Sequence, residues 1–106
     1  MIEAVQIFTT TDTEANAKEI ADTLVAARLA ACVQVVGPIT STYRWQGKIE
    51  TAQEWLCIIK STEALCDEVE SAIRELHPYE LPEIIAVAVT AGSQEYLEWL
   101  KGSVRE

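Results

Sequence analysis

The centre of the sequence, residues 39–60, reads ITSTYRWQGKIETAQEWLCIIK, which is typical of a long β-hairpin. Residues 39–45 have an alternating character, and a second strand pattern runs from residue 48 to about residue 60. Gln46 and Gly47 lie between them, and glycine can adopt the positive φ that a two-residue turn requires. Both arms exceed the usual ~5–6 residues of a strand. We therefore expect the hairpin to project from the body of a small domain.

The segments before the hairpin predict a strand, a helix and the first part of the hairpin. Residues 2–9 are apolar and β-branched, which favours a strand, and Thr11 with Glu14 has the spacing of a capping box. The following helix should end near Arg28, and residues 32–36 should begin a strand that bends at Gly37-Pro38. One apolar stripe marks the buried face of this helix: Ala17, Ile20, Ala21, Leu24 and Val25.

The segments after the hairpin predict helix, strand and helix. Ser61 or Thr62 should cap the second helix, which ends at His77, before a proline. Residues 84–89 are apolar on both faces, as expected of a strand covered on both sides, and Ser93 should cap a terminal helix. The apolar residues of the two helices are Leu65, Val69, Ala72, Ile73 and Leu76 in the first, and Tyr96, Leu97, Trp99 and Leu100 in the second.

The resulting order, β-α-β-β-α-β-α, predicts an α+β domain of the ferredoxin-like, split βαβ class. Residues 1–106 should form a single domain, with two helices on one face of an antiparallel sheet and an additional C-terminal helix. A projecting hairpin that carries Tyr43, Trp45, Ile49 and Trp55 would expose apolar surface and unpaired backbone. We therefore expect the protein to form oligomers.

The composition excludes several classes of function. Seventeen acidic and eight basic residues give a formal net charge of −9, which repels nucleic acid and anionic membranes. The sequence has no signal-peptide pattern and no apolar run long enough to cross a bilayer, so we expect a cytoplasmic protein. Cys32, Cys57 and Cys66 lack the spacing of a zinc site and fit reduced thiols, the first two in the core.

The only histidine, His77, opens the run HPYELPE at residues 77–83, which also holds two of the three prolines. The prolines stiffen a polar connection between two core elements, and such a connection is a candidate site. His77 could serve as a helix C-terminal residue that suits the helix dipole or as a metal ligand. A tight metal site needs about three or four ligands, which a subunit interface could supply.

Other polar and aromatic residues at the ends of elements have simpler explanations. Arg44, Glu50 and Glu54 lie on the hairpin, where cross-strand or intersubunit ion pairs are the favoured interpretation. Trp45 and Trp55 fit packing anchors better than ligand-stacking groups.

Five motifs together resemble the CutA divalent-cation tolerance family, in order and over essentially the whole chain. They are AAC at residues 30–32, YRWQGKIE at 43–50, the return strand at 54–60, HPYELPE at 77–83 and YLEWL at 96–100. The resemblance implies a ferredoxin-like protomer in a homotrimer whose hairpins pair strands between subunits, much like the trimeric signalling proteins of the PII type. It also implies a cytoplasmic protein associated with tolerance to copper and other divalent cations, and no enzyme of known reaction.

Some members of that family are described as binding copper through a first-strand cysteine and adjacent histidines before the Pro-Tyr pair. Phe8 and Leu76 stand at two of these positions here, so only His77 carries over. The leading hypothesis is that the protein binds copper or another divalent cation weakly through His77, assisted by Glu80 or Glu83, with no metal essential for folding.

Three other hypotheses remain open. A PII-like sensor would bind a small metabolite or anion in clefts between subunits, lined by Tyr43, Trp45, Lys60, His77, Tyr79 and Glu83. A purely structural trimer would use the same residues for assembly alone. An enzyme with His77 as general base beside Glu83 ranks last, because no nucleophile or oxyanion-stabilising group accompanies the pair.

Overall fold

The computed structural model of the chain describes residues 3–106, so the predicted start of the first strand at Ile2 lies outside the described residues. The described part forms one four-stranded antiparallel sheet and three α-helices. Along the chain the elements are β1 (Ala4–Thr11), α1 (Glu14–Ala26), β2 (Cys32–Trp45), β3 (Lys48–Thr62), α2 (Cys66–Leu76), β4 (Ile85–Ala88) and α3 (Gln94–Ser103). This is the predicted order β-α-β-β-α-β-α. The strands lie in the sheet in the order β2-β3-β1-β4.

The core lies between one face of the sheet and helices α1 and α2. Side chains alternate between the two faces of a strand, so every second residue of β1 and β3 points to this face. Ile7 and Ile59 are two of them, directly opposite each other in the register. They pack with Ile20 and Leu24 of α1 and with Ile73 of α2, all of which are essentially inaccessible to solvent. In the predicted stripe of α1, Val25 is exposed. No helix of residues 3–106 has the length and apolar character needed to cross a membrane.

Two of the three predicted helix caps are wrong, because strand pairing continues further than the sequence pattern indicates. Thr11 still belongs to β1, so α1 begins later and Thr13 accepts the hydrogen bond from the backbone N–H of Asn16. Ser61 and Thr62 still belong to β3. Thr62 occupies the N-cap position of the 3-10 turn at Glu63–Leu65 that leads into α2, but its side chain makes no capping hydrogen bond. The Ser61 hydroxyl instead donates to the Leu29 carbonyl at 2.6 Å.

The cap predicted at the third helix is confirmed. The hydroxyl oxygen of Ser93 accepts a hydrogen bond from the backbone N–H of Tyr96, at 3.2 Å.

The last strand is a second point of difference. The sequence predicts a strand covered on both faces at residues 84–89, but β4 spans only Ile85–Ala88, and all four of its residues are exposed in the protomer. Ile85 and Val87 keep 53% and 50% of their surface accessible. The physical reason is that β4 is an edge strand, which within residues 3–106 pairs with β1 alone. Its apolar character therefore marks surface left uncovered in the single chain.

The β2–β3 hairpin turns at Gln46 and Gly47, as predicted, and both residues have positive φ, 51° and 79°. Its ladder shifts register between Val36 and Ile39, at the predicted bend. Trp55 packs over Gly37 so closely that a Cβ on the glycine would lie 2.3 Å from Cδ1 of the indole. Since β1 pairs only with residues 55–62 of β3, the outer half of the hairpin is paired only with itself in the described chain.

Candidate functional site

The run at residues 77–83 leaves the end of α2 and is fastened to the end of β1 by His77. Nε2 of the imidazole lies 2.7 Å from the carbonyl oxygen of Thr10, and the backbone N–H of Tyr79 donates to Nδ1 at 3.1 Å. Because a carbonyl oxygen can only accept, Nε2 must carry the proton, and Nδ1 must offer its lone pair. His77 is therefore a neutral ring with both nitrogens occupied, and its edge contacts the ring of Tyr79, with centroids 4.7 Å apart.

Asn16 holds the end of α2 in the same place. Its side-chain N–H donates to the Leu76 carbonyl at 2.9 Å, and its side-chain oxygen accepts from the Thr11 hydroxyl at 2.5 Å. The amide thus joins the last turn of α2 to the end of β1, directly before His77. Sequence reasoning missed this role, since an asparagine in the first turn of a helix gives no signal of a partner sixty residues away.

Tyr79 connects the run to the hairpin. Its hydroxyl donates to Oε2 of Glu54 at 2.8 Å, and the Glu54 residue is only 6% exposed. Burial raises the pKa of the Tyr79 phenol, and the hydrogen bond to the Glu54 carboxylate raises it further. The phenol therefore stays protonated and remains a donor to the carboxylate.

The ion pair expected at Glu54 does not form within the protomer. The ion pairs of the described residues join Lys18 to Asp22, Glu70 to Arg74 and Glu68 to Arg105, all between exposed side chains. None involves Arg44, Glu50 or Glu54. The intersubunit form of that expectation stays a prediction.

A cavity of about 670 Å³ opens in front of this hydrogen-bonded group, between the hairpin and residues 79–83. Five residues proposed from the sequence line it: Tyr43, Trp45, Tyr79, Glu80 and Glu83. Five others also line it: Thr10, Ser41, Thr42, Glu54 and Leu81. Strand alternation could have found one of these, because Ser41 shares a face of β2 with Tyr43 and Trp45.

His77, which the sequence also predicts in the cleft, is not among the lining residues of the protomer, and neither is Lys60. Lys60 lies opposite Gln6 in the register, four residues along β1 from Thr10, which is a separation of roughly 14 Å along the strand. Its ammonium group instead lies 5.8 Å from the ring centroid of Tyr96. The cavity of the protomer is therefore lined by three carboxylates and by no lysine or arginine of the described residues. Whether Lys60 and His77 meet across a subunit boundary stays a prediction.

The arrangement offers few ligands for a metal ion within one chain. Among residues 3–106, no three His, Cys, Asp or Glu side chains are grouped so that they could hold a metal ion. His77 could ligate only after one of its two hydrogen bonds was released. Glu80 and Glu83, the proposed helpers, line the cavity as exposed side chains.

The three cysteines form no disulfide, and the structure favours the thiol form at two of them. Burial raises the pKa of the Cys57 thiol to about 11. Burial also raises the pKa of Cys66, and the carboxylates of Glu63 and Asp67 add to that shift. Cys57 is fully buried, as expected, whereas Cys32 is partly exposed. Since the thiolate is the metal-binding form, Cys57 and Cys66 are poor ligands.

The sheet order, the long hairpin and the cavity between the hairpin and residues 79–83 define the class of protein: a small α+β domain with a four-stranded antiparallel sheet and three α-helices among the described residues. Residues 5–103 match the family described as "CutA1 divalent ion tolerance protein". The chain therefore belongs to the CutA1 divalent ion tolerance family.

The individual relatives agree with this assignment. The divalent-cation tolerance protein CutA of Thermus thermophilus is 42% identical over 95 residues, which cover 90% of this chain and 92% of that protein. Protein CutA of Homo sapiens is 45% identical over 94 residues, covering 89% of this chain. The crystal structure of CutA1 from Oryza sativa superposes with a TM-score of 0.96 at 38% identity, covering 99% of this chain and 96% of that one.

The family and the Thermus thermophilus protein are named for divalent-cation tolerance and not for a reaction. The chain spans 59% of the length of the chloroplastic CutA 1 of Oryza sativa and 52% of the human protein.

Proposed function

We propose that this protein contributes to divalent-cation tolerance as a cytoplasmic homotrimer that binds copper or another divalent cation weakly. The observation that carries the proposal is the charge of the cavity, which has three carboxylates and no lysine or arginine among the described residues of its lining. Carboxylate oxygens bind divalent cations, and an imidazole nitrogen suits copper. Glu80 and Glu83 are exposed at this cavity, so water screens their charge and the affinity should be modest.

His77 is the nitrogen ligand of this proposal; it lies beside the cavity lining, next to Tyr79, and its hydrogen bonds set a condition on binding. A cation approaching Nδ1 must replace the Tyr79 N–H as the partner of the lone pair. The exchange opposes binding by about one hydrogen bond, or roughly 1 kcal/mol. This is a second reason to expect weak binding.

Calorimetric titration of Cu²⁺ tests the metal proposal. The variant Glu80→Gln/Glu83→Gln should bind Cu²⁺ roughly tenfold more weakly than wild type, a change of about 1.4 kcal/mol. The matched control is Glu95→Gln/Glu98→Gln, which removes the same charge from exposed positions on α3 and should leave the affinity unchanged. Equal losses of affinity in the two double variants would show that the effect comes from net charge and not from a site at Glu80 and Glu83. Equal Cu²⁺ affinity of wild type and His77→Ala would show that His77 is not a ligand.

The homotrimer is supported by the apolar surface that the single chain leaves open. Ile85 and Val87 are half exposed on one edge strand of the sheet, and Val36 is 46% exposed on the other. Open edges with apolar side chains favour pairing with another chain. Sedimentation equilibrium of wild type should therefore give three times the chain mass, and Val87→Lys should shift it towards the monomer.

The control for that experiment is Val25→Lys, which places the same charge on an exposed residue of α1, away from the sheet. A monomeric wild type, or equal dissociation of the two variants, would contradict the trimer.

A second candidate function is supported by the walls of the cavity. Tyr43, Trp45, Tyr79 and Leu81 line a space of about 670 Å³, which is the size and character of a small-molecule site. We propose binding of a small, partly apolar solute, as in a PII-like sensor. A neutral probe, 2-phenylethanol, should bind saturably in calorimetry and lose its binding in Trp45→Ala. Trp99→Ala, at an equally exposed tryptophan of α3, is the control, and an equal loss there would contradict a site in the cavity.

A further inference from the structure

Glu54 is a buried carboxylate without a cationic partner among the described residues. It is 6% exposed, and its hydrogen-bond partner among residues 3–106 is the neutral phenol of Tyr79. The ion pairs of the described chain do not include it. Burying an ion is unfavourable unless an opposite charge and hydrogen bonds compensate for the lost water. Among the described residues, the hydrogen bond that Glu54 accepts from a side chain comes from a neutral group.

The aromatic side chains that line the same cavity as Glu54 point to the kind of cation that could complete the site. Tyr43 and Trp45 lie on one face of β2, two residues apart, and they keep 44% and 43% of their surface accessible at the cavity. The faces of aromatic rings attract cations, and apolar parts of a ligand gain stability when they are buried against the rings. A hydrated metal ion would gain little from such walls, whereas an ammonium group on a carbon skeleton would gain from both the walls and the carboxylate.

We propose that the cavity binds a small organic ammonium ion, whose charge is neutralised by the Glu54 carboxylate and whose carbon skeleton packs against Tyr43 and Trp45. The proposal rests on the second candidate function, small-molecule binding in this cavity, and specifies its ligand class. The proposed counter-ion differs from the proposed metal ligands, because Glu54 is buried and hydrogen-bonded to Tyr79, whereas Glu80 and Glu83 are exposed at the same cavity.

Three probes that share one carbon skeleton test the charge preference: 2-phenylethylammonium, neutral 2-phenylethanol and anionic phenylacetate. Calorimetry on the intact oligomer at neutral pH should give the ammonium ion at least about tenfold tighter binding than the alcohol, and no saturable binding of phenylacetate. Binding of the alcohol or the anion as tightly as the ammonium ion would overturn the ammonium preference and leave the small-molecule function standing. No binding of any probe would overturn both.

The variant Glu54→Gln tests whether the preference for the ammonium ion comes from the charge of Glu54. Glutamine keeps the volume and an oxygen that can accept from the Tyr79 hydroxyl, but it removes the charge. The ammonium ion should lose about tenfold in affinity, while 2-phenylethanol should bind as it does to wild type, which also reports that the cavity is intact. Glu50→Gln is the matched control, since it removes an exposed charge from the same strand outside the cavity lining.

Two results would overturn this assignment. Equal ammonium affinities of Glu54→Gln and wild type would remove Glu54 as the counter-ion. Dissociation of the oligomer by Glu54→Gln, with no binding of the ammonium ion to wild type, would mean that a basic residue of a neighbouring subunit neutralises Glu54 instead.

Discussion

The hydrogen bond from Tyr79 to Glu54 joins the connection after α2 to the hairpin, and its loss should measurably destabilise the protein. In Tyr79→Phe the carboxylate loses its neutral donor while it stays 6% exposed. The bond is 2.8 Å long and its acceptor is a carboxylate, so its removal should lower the free energy of unfolding by about 2 kcal/mol. For a domain of this size that corresponds to a fall in Tm of roughly 9 °C.

A double-mutant cycle separates this bond from the loss of a hydroxyl group as such. In the Glu54→Gln background the same Tyr79→Phe substitution removes a neutral hydrogen bond, which contributes only about 1 kcal/mol. The two substitutions should therefore be coupled by about 1 kcal/mol in urea unfolding, measured at one protein concentration because assembly adds to stability. An identical cost of Tyr79→Phe in both backgrounds would refute the reasoning, because the charge of Glu54 would then be irrelevant to the bond.

Three further perturbations have expected outcomes. Gly37→Ala should destabilise by about 1–3 kcal/mol in urea unfolding, because its Cβ would lie 2.3 Å from the indole of Trp55, and the cost should shrink in Gly37→Ala/Trp55→Leu. Gly47→Ala should lower the free energy of unfolding by about 1 kcal/mol in the same measurement. The whole effect should come from the positive φ of 79°, because apart from the adjacent residues no atom of the described residues lies within 4 Å of the new Cβ. The free energy of unfolding should fall between about pH 9 and pH 11, because the raised pKa keeps the Cys57 thiol protonated in the folded state while the unfolded chain ionises; Cys57→Ala should flatten that decline in alkaline unfolding curves.

The sequence predicts the element order and the hairpin turn because these depend on local signals. Gln46-Gly47 specifies a two-residue turn wherever it lies between two strands, and Ser93 caps α3 through a contact three residues away. The predicted helix caps at Thr11 and Ser61 do not form, because both residues pair with distant strands of the sheet. A local sequence pattern does not reveal such pairing. Propensity at an element boundary is weak compared with such tertiary pairing.

In the candidate site, too, the features that depend on local sequence could be predicted, and those that depend on distant contacts could not. Alternation along β2 places Tyr43 and Trp45 on one face, and the prolines predict a stiff connection at 77–83, so half of the cavity lining could be proposed from the sequence. The burial of Glu54 could not be predicted from the sequence, because its hydrogen-bond partner, Tyr79, lies twenty-five residues later. A glutamate on a hairpin is more readily expected to form a solvated ion pair. Sequence reasoning also places Lys60 at the site, whereas strand geometry carries it roughly 14 Å away within the protomer.

His77 illustrates why a family signature can identify a protein without explaining how it binds a cation. The ring is the only imidazole in the chain, yet its proton is donated to Thr10 and its lone pair is taken by Tyr79. The first bond holds His77 against β1 and the second holds Tyr79 to His77, so the histidine positions the phenol that donates to Glu54. A cation that recruits Nδ1 must weaken this connection, whereas a cation that binds at Glu54 leaves it intact. Within one protomer, the hydrogen bonds therefore favour a role for His77 in holding the cavity in shape over a role as the principal ligand.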